Sequence, residues 1–277
     1  MTGTKKDMTD SFKESALKYH THPTPGKLEI RPTKPLANKR DLSLAYSPGV
    51  AYACELIKER PTAAAEVTSR GNLVAVITNG TAVLGLGNIG PLASKPVMEG
   101  KAVLFKKFAN IDVFDIEVDA LDVDKFVATV KAIAPTFGGI NLEDIKAPEC
   151  FEIEKRLKAE LKIPVMHDDQ HGTAIISSAA LLNALEIAEK KIQDVKIVVS
   201  GAGAAAVSCL DLFVQLGAQR KNIHVFDSKG LITKKRKGLD ERKQLMASDE
   251  DYESIDAALV GADVFLGLSK GGLLQGS

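Results

Sequence analysis

The segment from Val195 to Gly217 constrains the fold of this chain more than any other. It reads VKIVVSGAGAAAVSCLDLFVQLG, an apolar run followed by a turn of small residues and a helix-like stretch. This is the Ala-ended form of the dinucleotide-binding fingerprint. The first glycine makes a tight turn, the second lets the backbone approach a pyrophosphate, and the final alanine allows the helix to pack closely on the strand.

The cofactor-binding residues that this turn predicts are Gly201, Ala202, Gly203, Ala204, Ala205 and Ala206. The helix that follows would offer unpaired backbone N–H groups to the phosphates. An ordinary tight turn between a strand and a helix is the competing interpretation, and the flanking strand and helix patterns argue against it.

Strand-like and helix-like patterns alternate along the rest of the chain. Apolar runs begin near residues 73, 111, 139, 163 and 222, and again near 263. Helical patterns lie between them, so the chain is predicted to be an α/β protein with parallel sheets and right-handed crossovers. Residues 1–160 form the first predicted domain and residues 161–277 the second, which is Rossmann-like. Residues 21–40 contain four prolines and are predicted to be an extended loop.

Charge and cysteine content restrict the class of partner and the compartment. Lys and Arg total 36, as do Asp and Glu, so the formal net charge is zero. This balance gives no reason to expect nucleic acid or an anionic membrane as a partner. No apolar run reaches the ~18 residues of a membrane span. The three cysteines form no CxxC pair, which predicts reduced thiols and a cytoplasmic protein.

The identity of the nicotinamide cofactor stays open at this stage. Asp227 ends the strand after the glycine-rich turn, where an acidic residue can bind the adenosine ribose hydroxyls of NAD. A basic run follows, and it could meet the 2′-phosphate of NADP or be a solvated loop. Its members are Lys229, Lys234, Lys235 and Arg236.

Two acidic pairs follow predicted strands. Glu143 and Asp144 come after a short strand with two glycines, and Asp168 and Asp169 come after the strand IPVMH. Ligand sites in α/β proteins form at the carboxyl ends of strands. Carboxylates gathered there suggest Mg²⁺ or Mn²⁺, which prefer hard oxygen ligands. A helix cap or a surface turn is the alternative for each pair.

His167 and His171 flank the second acidic pair. A zinc site is disfavoured because the stretch between them crosses from strand to helix and does not lie on one helix face. A hydrogen-bonding role, or a role in starting the helix, is the preferred interpretation.

Five segments together resemble the successive blocks of malic enzymes, in order and in spacing. They are LSLAYSPGVA (42–51), NGTAVLGLGNIG (79–90), KPVMEGKAVLFK (95–106), GINLEDI (139–145) and HDDQHGTA (167–174). The resemblance implies an N-terminal malic enzyme domain followed by the nicotinamide-binding domain. It also implies oxidative decarboxylation of L-malate to pyruvate and CO₂, with reduction of NAD or NADP and a requirement for Mg²⁺ or Mn²⁺. The opening TPGKLEIRPTKPLA is more similar to bacterial hybrid malic enzymes, which continue into a phosphotransacetylase-like domain.

The resemblance also assigns roles to residues. Tyr46 matches the general acid of the family and Lys101 its general base. The metal ligands implied are Glu143, Asp144 and Asp169, with Asp168 behind them. A lysine beside a divalent cation can have its pKa lowered from ~10.4 and then accept the hydroxyl proton of malate. The metal would polarise the carbonyl and stabilise the enolate, and the tyrosine would protonate C3.

Two departures from the family pattern stand out. Eukaryotic members carry an arginine that binds a substrate carboxylate where this chain has Thr81 and Ala82. The chain also ends KGGLLQGS, whereas family members continue to an SNP-type asparagine that contacts substrate. We therefore expect it to end within the nicotinamide-binding domain and to be inactive alone.

The resemblance further implies a homodimer or a higher homo-oligomer. Two other functions remain open: malolactic chemistry, in which the hydride returns to form lactate, and a nucleotide-binding or oligomerising module without turnover.

Overall fold

The computed structural model describes residues 5–83, 85–239 and 241–269, with side chains from residue 11 onward except that of Glu241. The predicted ending at residues 270–277 lies outside this range. The chain divides into two compact units, Met1–Val165 and Met166–Ser277. The division falls inside a strand that belongs to the first sheet, so that sheet is described as a whole.

The first sheet contains four strands in the order β2-β1-β3-β4. They are β1 (Leu73–Thr78), β2 (Asp112–Glu117), β3 (Gly139–Leu142) and β4 (Val165–His167). Strand β1 pairs in parallel with both β2 and β3. All of β3 and nearly all of β1 is buried, which explains why their sequences are almost continuous apolar runs. The predicted strands at these positions are confirmed.

Seven α-helices accompany this sheet in the described residues of the first unit. They are α1 (Lys5–Thr21), α2 (Lys39–Ala45), α3 (Val50–Glu59), α4 (Ala64–Val67), α5 (Gly90–Leu104), α6 (Val123–Ile133) and α7 (Glu149–Glu160). The predicted loop at residues 21–40 is wrong at its two ends, since Thr21 belongs to α1 and α2 begins at Lys39. Asn38 caps α2 by accepting the backbone N–H of Asp41 at 3.0 Å.

Helix α5 has no counterpart in the sequence-based prediction, because Pro96 and Gly100 both disfavour a helix interior. Burial explains why it forms nevertheless. Ser94, Met98 and Ala102 recur every four residues and are fully or almost fully buried. This apolar face outweighs the local preference of the two unfavourable residues. The helix carries Lys101, the predicted general base.

The second sheet has the order β7-β6-β5-β8. Its strands are β5 (Ile197–Ser200), β6 (Ile223–Asp227), β7 (Gly230–Leu231) and β8 (Val264–Gly267). Strand β5 pairs in parallel with β6 and β8, as predicted. The expectation of an all-parallel sheet is wrong for β7, a two-residue edge strand antiparallel to β6. The strand order reverses between β5 and β8, the point at which such sheets bind ligands.

The helices of the second unit are α8 (Asp168–Ile187), α9 (Ala204–Gln215), α10 (Glu241–Leu245) and α11 (Ile255–Leu259). Helix α8 begins four residues before the predicted start at Gly172, because carboxylates stabilise the first turn of a helix. Its apolar side packs with α9 and β5 around Phe213, which is 1 % exposed. In the residues described, no helix has both the length and the apolar content needed to cross a bilayer.

Candidate active site

The acidic residues after β3 and β4 lie together at one end of the first sheet. Strand β3 runs beside the segment leading into β4, where the backbone N–H of Ile140 donates to the carbonyl of Pro164 at 2.9 Å. One oxygen from each of Glu143, Asp144 and Asp169 lies within 4.8 Å of the others. Among the described residues, these three carboxylates form the group whose oxygens lie close enough together to hold a metal ion. Three hard oxygen donors fit Mg²⁺ or Mn²⁺.

Glu143 is held between an amide and an ammonium group. Its side chain is 7 % exposed, and its Oε1 lies 3.1 Å from the Nζ of Lys101 on α5. The side-chain amide of Asn141 donates to its Oε2 at 2.8 Å. Sequence reasoning missed Asn141, although a polar residue two positions before Glu143 shares its face of the strand. The structure therefore brings the predicted base beside a predicted metal ligand.

Asp144 is fixed through its backbone. It has a left-handed conformation, with φ of 54°, and is 5 % exposed. Its carbonyl accepts the backbone N–H of Ala82 at 2.9 Å. The hydroxyl of Thr81 donates to Asn79 at 2.6 Å and accepts the backbone N–H of Lys146 at 3.0 Å. The loop that contains Thr81 and Ala82, where eukaryotic members carry an arginine, therefore holds the turn that carries Glu143 and Asp144.

Asp169 is positioned by the start of α8. The fully buried His167 places its Nε2 3.4 Å from Oδ2 of Asp169. Gly172, one turn after Asp168, approaches it so closely that an added Cβ would clash with the Asp168 carboxylate. Neither His167 nor His171 belongs to the group that could hold a metal. His167 contacts a metal-ligand candidate and directly precedes α8, where a hydrogen-bonding or helix-start role was predicted.

Tyr46 is placed differently from the other predicted catalytic residue. It follows the last residue of α2 and is 71 % exposed. It is not among the side chains gathered around Glu143, which include Lys101. Its assignment as general acid therefore depends on the sequence resemblance.

The glycine-rich turn after β5 is tightly packed at Gly201 and open at Gly203. Gly201 has φ of 114°, and a Cβ there would lie 2.6 Å from the carbonyl oxygen of Leu268. A Cβ on Gly203 would meet nothing within 4 Å, so the space before α9 is open to a ligand. Ala206 is 1 % exposed and packs in the core. The first turn of α9 supplies Ala204 and Ala205, whose backbone N–H groups have no partner within the helix.

Asp227 lies at the end of β6 and is surrounded by donors. Its side chain is 8 % exposed, and Arg236 and Lys243 both contact it. Burial by itself would raise the pKa of this carboxyl. The hydrogen bonds from Arg236, the backbone N–H of Lys229 and Lys243 outweigh burial and lower the pKa of Asp227 to about 2. Asp227 is therefore an ionised carboxylate engaged with two cations.

Comparison with known proteins agrees with this arrangement. Residues 25–158 match the family model "Malic enzyme, N-terminal domain", and residues 170–266 match "Malic enzyme, NAD binding domain". The chain is 65 % identical to the NAD-dependent malic enzyme of Rhizobium meliloti, over 95 % of this chain and 34 % of that protein. It is 63 % identical to the NADP-dependent malic enzyme of Salmonella typhimurium, over 95 % of this chain and 35 % of the relative.

A solved structure shows the same fold. The malic enzyme from Pyrococcus horikoshii superposes with a TM-score of 0.88 at 43 % identity, covering 94 % of this chain and 63 % of that one. The chain spans about a third of the length of these Rhizobium meliloti and Salmonella typhimurium relatives. Two family models cover most of its residues, and the chain belongs to the malic enzyme family.

Proposed function

We propose that this protein takes part in the oxidative decarboxylation of L-malate to pyruvate and CO₂, with reduction of NAD(P)⁺. The observation that carries the proposal is the grouping of Lys101 with three carboxylates at the ends of β3 and β4. The glycine-rich turn after β5 supplies the form of a dinucleotide site. Membership of the malic enzyme family supports both assignments.

Lys101 is suited to be the base for the hydroxyl at C2 of malate. It lies on a 15-residue helix with a buried face, and its side chain is only 22 % exposed. Because the buried face anchors the helix, the amine can take few positions. Good positioning of a reacting group can lower an activation barrier by ~7–11 kcal/mol. In its neutral form, Lys101 would accept the hydroxyl proton as the hydride leaves C2 for the nicotinamide.

Glu143, Asp144 and Asp169 would hold Mg²⁺ or Mn²⁺, which polarises a carbonyl and stabilises a developing enolate when bound. The surrounding residues of the chain hold the three carboxylates close together. Asn141 and Lys101 fix Glu143, the loop from Asn79 fixes the backbone of Asp144, and His167 contacts Asp169.

Tyr46 would deliver the proton to C3 after loss of CO₂, and a second copy of the chain would cover it. Helices α2 and α3 contain no buried residue. Large apolar side chains around Tyr46 are well exposed, among them Leu42 (53 %), Leu44 (63 %) and Tyr52 (75 %). Exposed apolar patches of this kind mark interaction sites. We propose that this surface is a homodimer interface, so that dimer formation would also shield Tyr46 from bulk water.

We also propose a cytoplasmic location. Cys54, Cys150 and Cys209 form no disulfide, which suits a reducing compartment.

A segment exchange tests the proposed function. This chain would replace the corresponding third of the Salmonella typhimurium enzyme, and malate oxidation would be followed with Mn²⁺ and NADP. We expect production of pyruvate and NADPH, and a loss of about 10²–10⁴-fold in rate for Lys101→Met. The exposed Lys107 on the same helical stretch provides the control Lys107→Met.

The products separate the alternatives. Lactate without accumulation of NADPH would indicate malolactic chemistry. A folded exchange protein that binds NADP and Mn²⁺ but does not oxidise malate would show that the chain serves only as a binding or oligomerising module.

A further inference from the structure

We propose that Lys27 is a positioning residue for Lys101 and that it acts only while His20 is neutral. Lys27 fastens the N-terminal segment to the part of α5 that directly precedes Lys101. The inference rests on the proposed role of Lys101 as the acceptor of the malate hydroxyl proton. It concerns the contacts that hold this amine in place and the pH at which they are lost.

Lys27 contacts α5 through both its backbone and its side chain. Its backbone N–H donates to Oε2 of Glu99 at 2.9 Å, and its Nζ donates to the carbonyl oxygen of Pro96 at 2.5 Å. A Cβ added to Gly100 would lie 3.8 Å from the same Nζ. The ammonium group therefore lies beside the stretch from Pro96 to Gly100, which ends one residue before Lys101.

The stretch that Lys27 contacts holds the two residues that favour a helix interior least. Pro96 has no backbone N–H to donate within the helix, and Gly100 loses more conformational freedom than any other residue type. Two hydrogen bonds from outside the helix thus restrict it where its own backbone does so least. Since Nζ of Lys101 lies 3.1 Å from Oε1 of Glu143, a shift of this stretch would move the amine relative to the carboxylates.

A closed loop after the end of α1 brings Lys27 back to His20. The backbone N–H of Gly26 donates to the carbonyl oxygen of His20 at 3.0 Å. Gly26 has φ of 85°, a left-handed conformation that glycine adopts readily. Nζ of Lys27 then lies 3.0 Å from Nε2 of His20, and both residues are partly buried. Lys27 therefore connects the end of α1 to α5.

The contact with Lys27 requires the neutral form of His20. Nδ1 of His20 lies 2.8 Å from the carbonyl oxygen of Ala16, which can only accept a hydrogen bond. Nδ1 therefore carries the hydrogen, and in a neutral imidazole this leaves Nε2 as an acceptor for Lys27. Protonation of Nε2 would place two cationic donors 3.0 Å apart. The contact is therefore present at higher pH and is lost as the pH falls through the range, about 8 to 5, in which histidine gains its charge.

Three further titratable side chains lie near this contact, and each has a partner. Glu99 on α5 lies 3.9 Å from Nζ of Lys95. Tyr19 on α1 meets the ring of His20 edge to face, with 5.7 Å between the ring centroids. His22, after the end of α1, has its Nδ1 2.9 Å from the hydroxyl of the preceding threonine. Of the two histidines, His20 is the one that contacts the ammonium group.

Hydrogen exchange of the 277-residue chain tests the fastening without catalysis. Mass spectrometry would follow the amides of α5 at pH 7.5 and 5.5, corrected for the pH dependence of intrinsic exchange. At pH 7.5 we expect Lys27→Met to raise exchange of residues 97–104 by about tenfold or more, since a hydrogen bond from a charged group is lost. Lys27→Arg should restore most of the protection. The amides of α6 should exchange equally in all variants.

Two histidine variants test the dependence on protonation. In the wild type, we expect α5 to exchange about tenfold or more faster at pH 5.5 than at pH 7.5. His20→Gln, which cannot gain a proton at that position, should remove this dependence, whereas His22→Gln should keep it. An unchanged dependence in His20→Gln would overturn the inference, as would wild-type protection in a folded Lys27→Met. The histidine variants decide the matter if Lys27→Met does not fold.

A comparison of kcat with KM tests whether the contact positions Lys101. In the segment-exchange protein, Lys27→Met should lower kcat by about 10–10²-fold and leave KM for malate and NADP similar, because it displaces the base. Lys34→Met, at an exposed position of the same N-terminal segment, should have no effect. Normal kcat in Lys27→Met beside an inactive Lys101→Met would overturn the inference and leave the proposed function intact. A folded exchange protein without substitutions that fails to oxidise malate would overturn the proposed function and, with it, this role of Lys27.

Discussion

Replacing Glu117 by Gln should stabilise the first unit at neutral and alkaline pH. Glu117 ends β2, and its side chain is 15 % exposed. Burial, followed by the adjacent carboxylate of Asp115, raises its pKa to about 7, against the opposing effect of Lys95. Lys95 lies 3.6 Å from Glu117 but 2.6 Å from Asp115, so its charge is directed mainly at the latter. Glu99 is a further carboxylate near Lys95, at 3.9 Å.

The sign of the pH effect follows from proton counting. The pKa of Glu117 is raised in the folded chain, from 4.5 to about 7, so between these values the folded state holds a proton that the unfolded state has lost. Stability falls wherever the folded state binds more protons and the pH rises. The free energy of unfolding that depends on protonated Glu117 is therefore fully present below about pH 4.5. It declines as the pH rises above that value and is lost by about pH 8.

The magnitude follows from the same shift. Each pKa unit corresponds to about 1.4 kcal/mol, which gives an upper bound of about 3 kcal/mol for Glu117. Solvent reaches this cluster, in which the side chain of Lys95 is 43 % exposed, and screens its charges. We therefore expect Glu117 to change the free energy of unfolding by about 1–2 kcal/mol. Gln has nearly the same size and no charge. Glu117→Gln should abolish this part of the pH dependence and be more stable than the wild type by about that amount at pH 8.

Urea unfolding at pH 5, 6, 7 and 8 measures the effect. Circular dichroism is the appropriate signal because the chain has no tryptophan. Because Glu117 belongs to the first compact unit, the change should occur in the transition that unfolds that unit. Glu29→Gln, at an exposed loop position, is the matched control. Parallel stability curves for Glu117→Gln and the wild type across this range would refute the reasoning.

Three further predictions concern the site and its surroundings. Gly172→Ala should displace the Asp168 carboxylate and weaken Mn²⁺ binding, measured by EPR, while the helical circular dichroism signal is kept; unchanged affinity would contradict it. Leu44→Asp should dissociate the proposed dimer in sedimentation velocity, whereas Lys39→Asp on the same helix should not; a monomeric wild type would disprove the interface. Tyr46→Phe in the segment-exchange protein should slow proton exchange at C3 of pyruvate by about 10²–10⁴-fold and leave oxaloacetate reduction nearly unchanged; normal exchange would remove Tyr46 from its role.

The strands were the most predictable part of the fold. Strands buried on both faces are apolar almost throughout, so β1, β3 and β5 are evident as uninterrupted runs bounded by turns. Helix α5 was not predictable by the same means, because Pro96 and Gly100 lower its local preference and its stability comes from the burial of Met98 and its neighbours. Strand β7 is too short, at two residues, to leave a pattern.

The site was predictable to the extent that strand ends define it. Acidic residues that follow two neighbouring strands at one end of a sheet lie close together, which is why the two acidic pairs could be predicted to form a site. The choice of Glu143, Asp144 and Asp169 as the metal ligands came from the resemblance to malic enzymes. Residues that act through hydrogen bonds leave no such pattern. Asn141, for example, lies on a buried strand, and its position in the sequence does not indicate that its side chain binds Glu143. The engagement of Asp227 with Lys243 depends on a contact sixteen residues apart, which spacing alone does not reveal.

Mn²⁺ binding to the chain tests the central claim most directly, since the carboxylate group is the basis of the proposed chemistry. Asp144→Asn removes one charge while keeping the shape of the residue, and Asn tolerates the left-handed backbone that Asp144 adopts. Asp124→Asn, at an exposed acid paired with Arg156, is the control. EPR titration should show one Mn²⁺ site in the wild type and in Asp124→Asn, and an affinity at least about tenfold lower in Asp144→Asn. Equal Mn²⁺ affinity in all three proteins would contradict the assignment of the metal site.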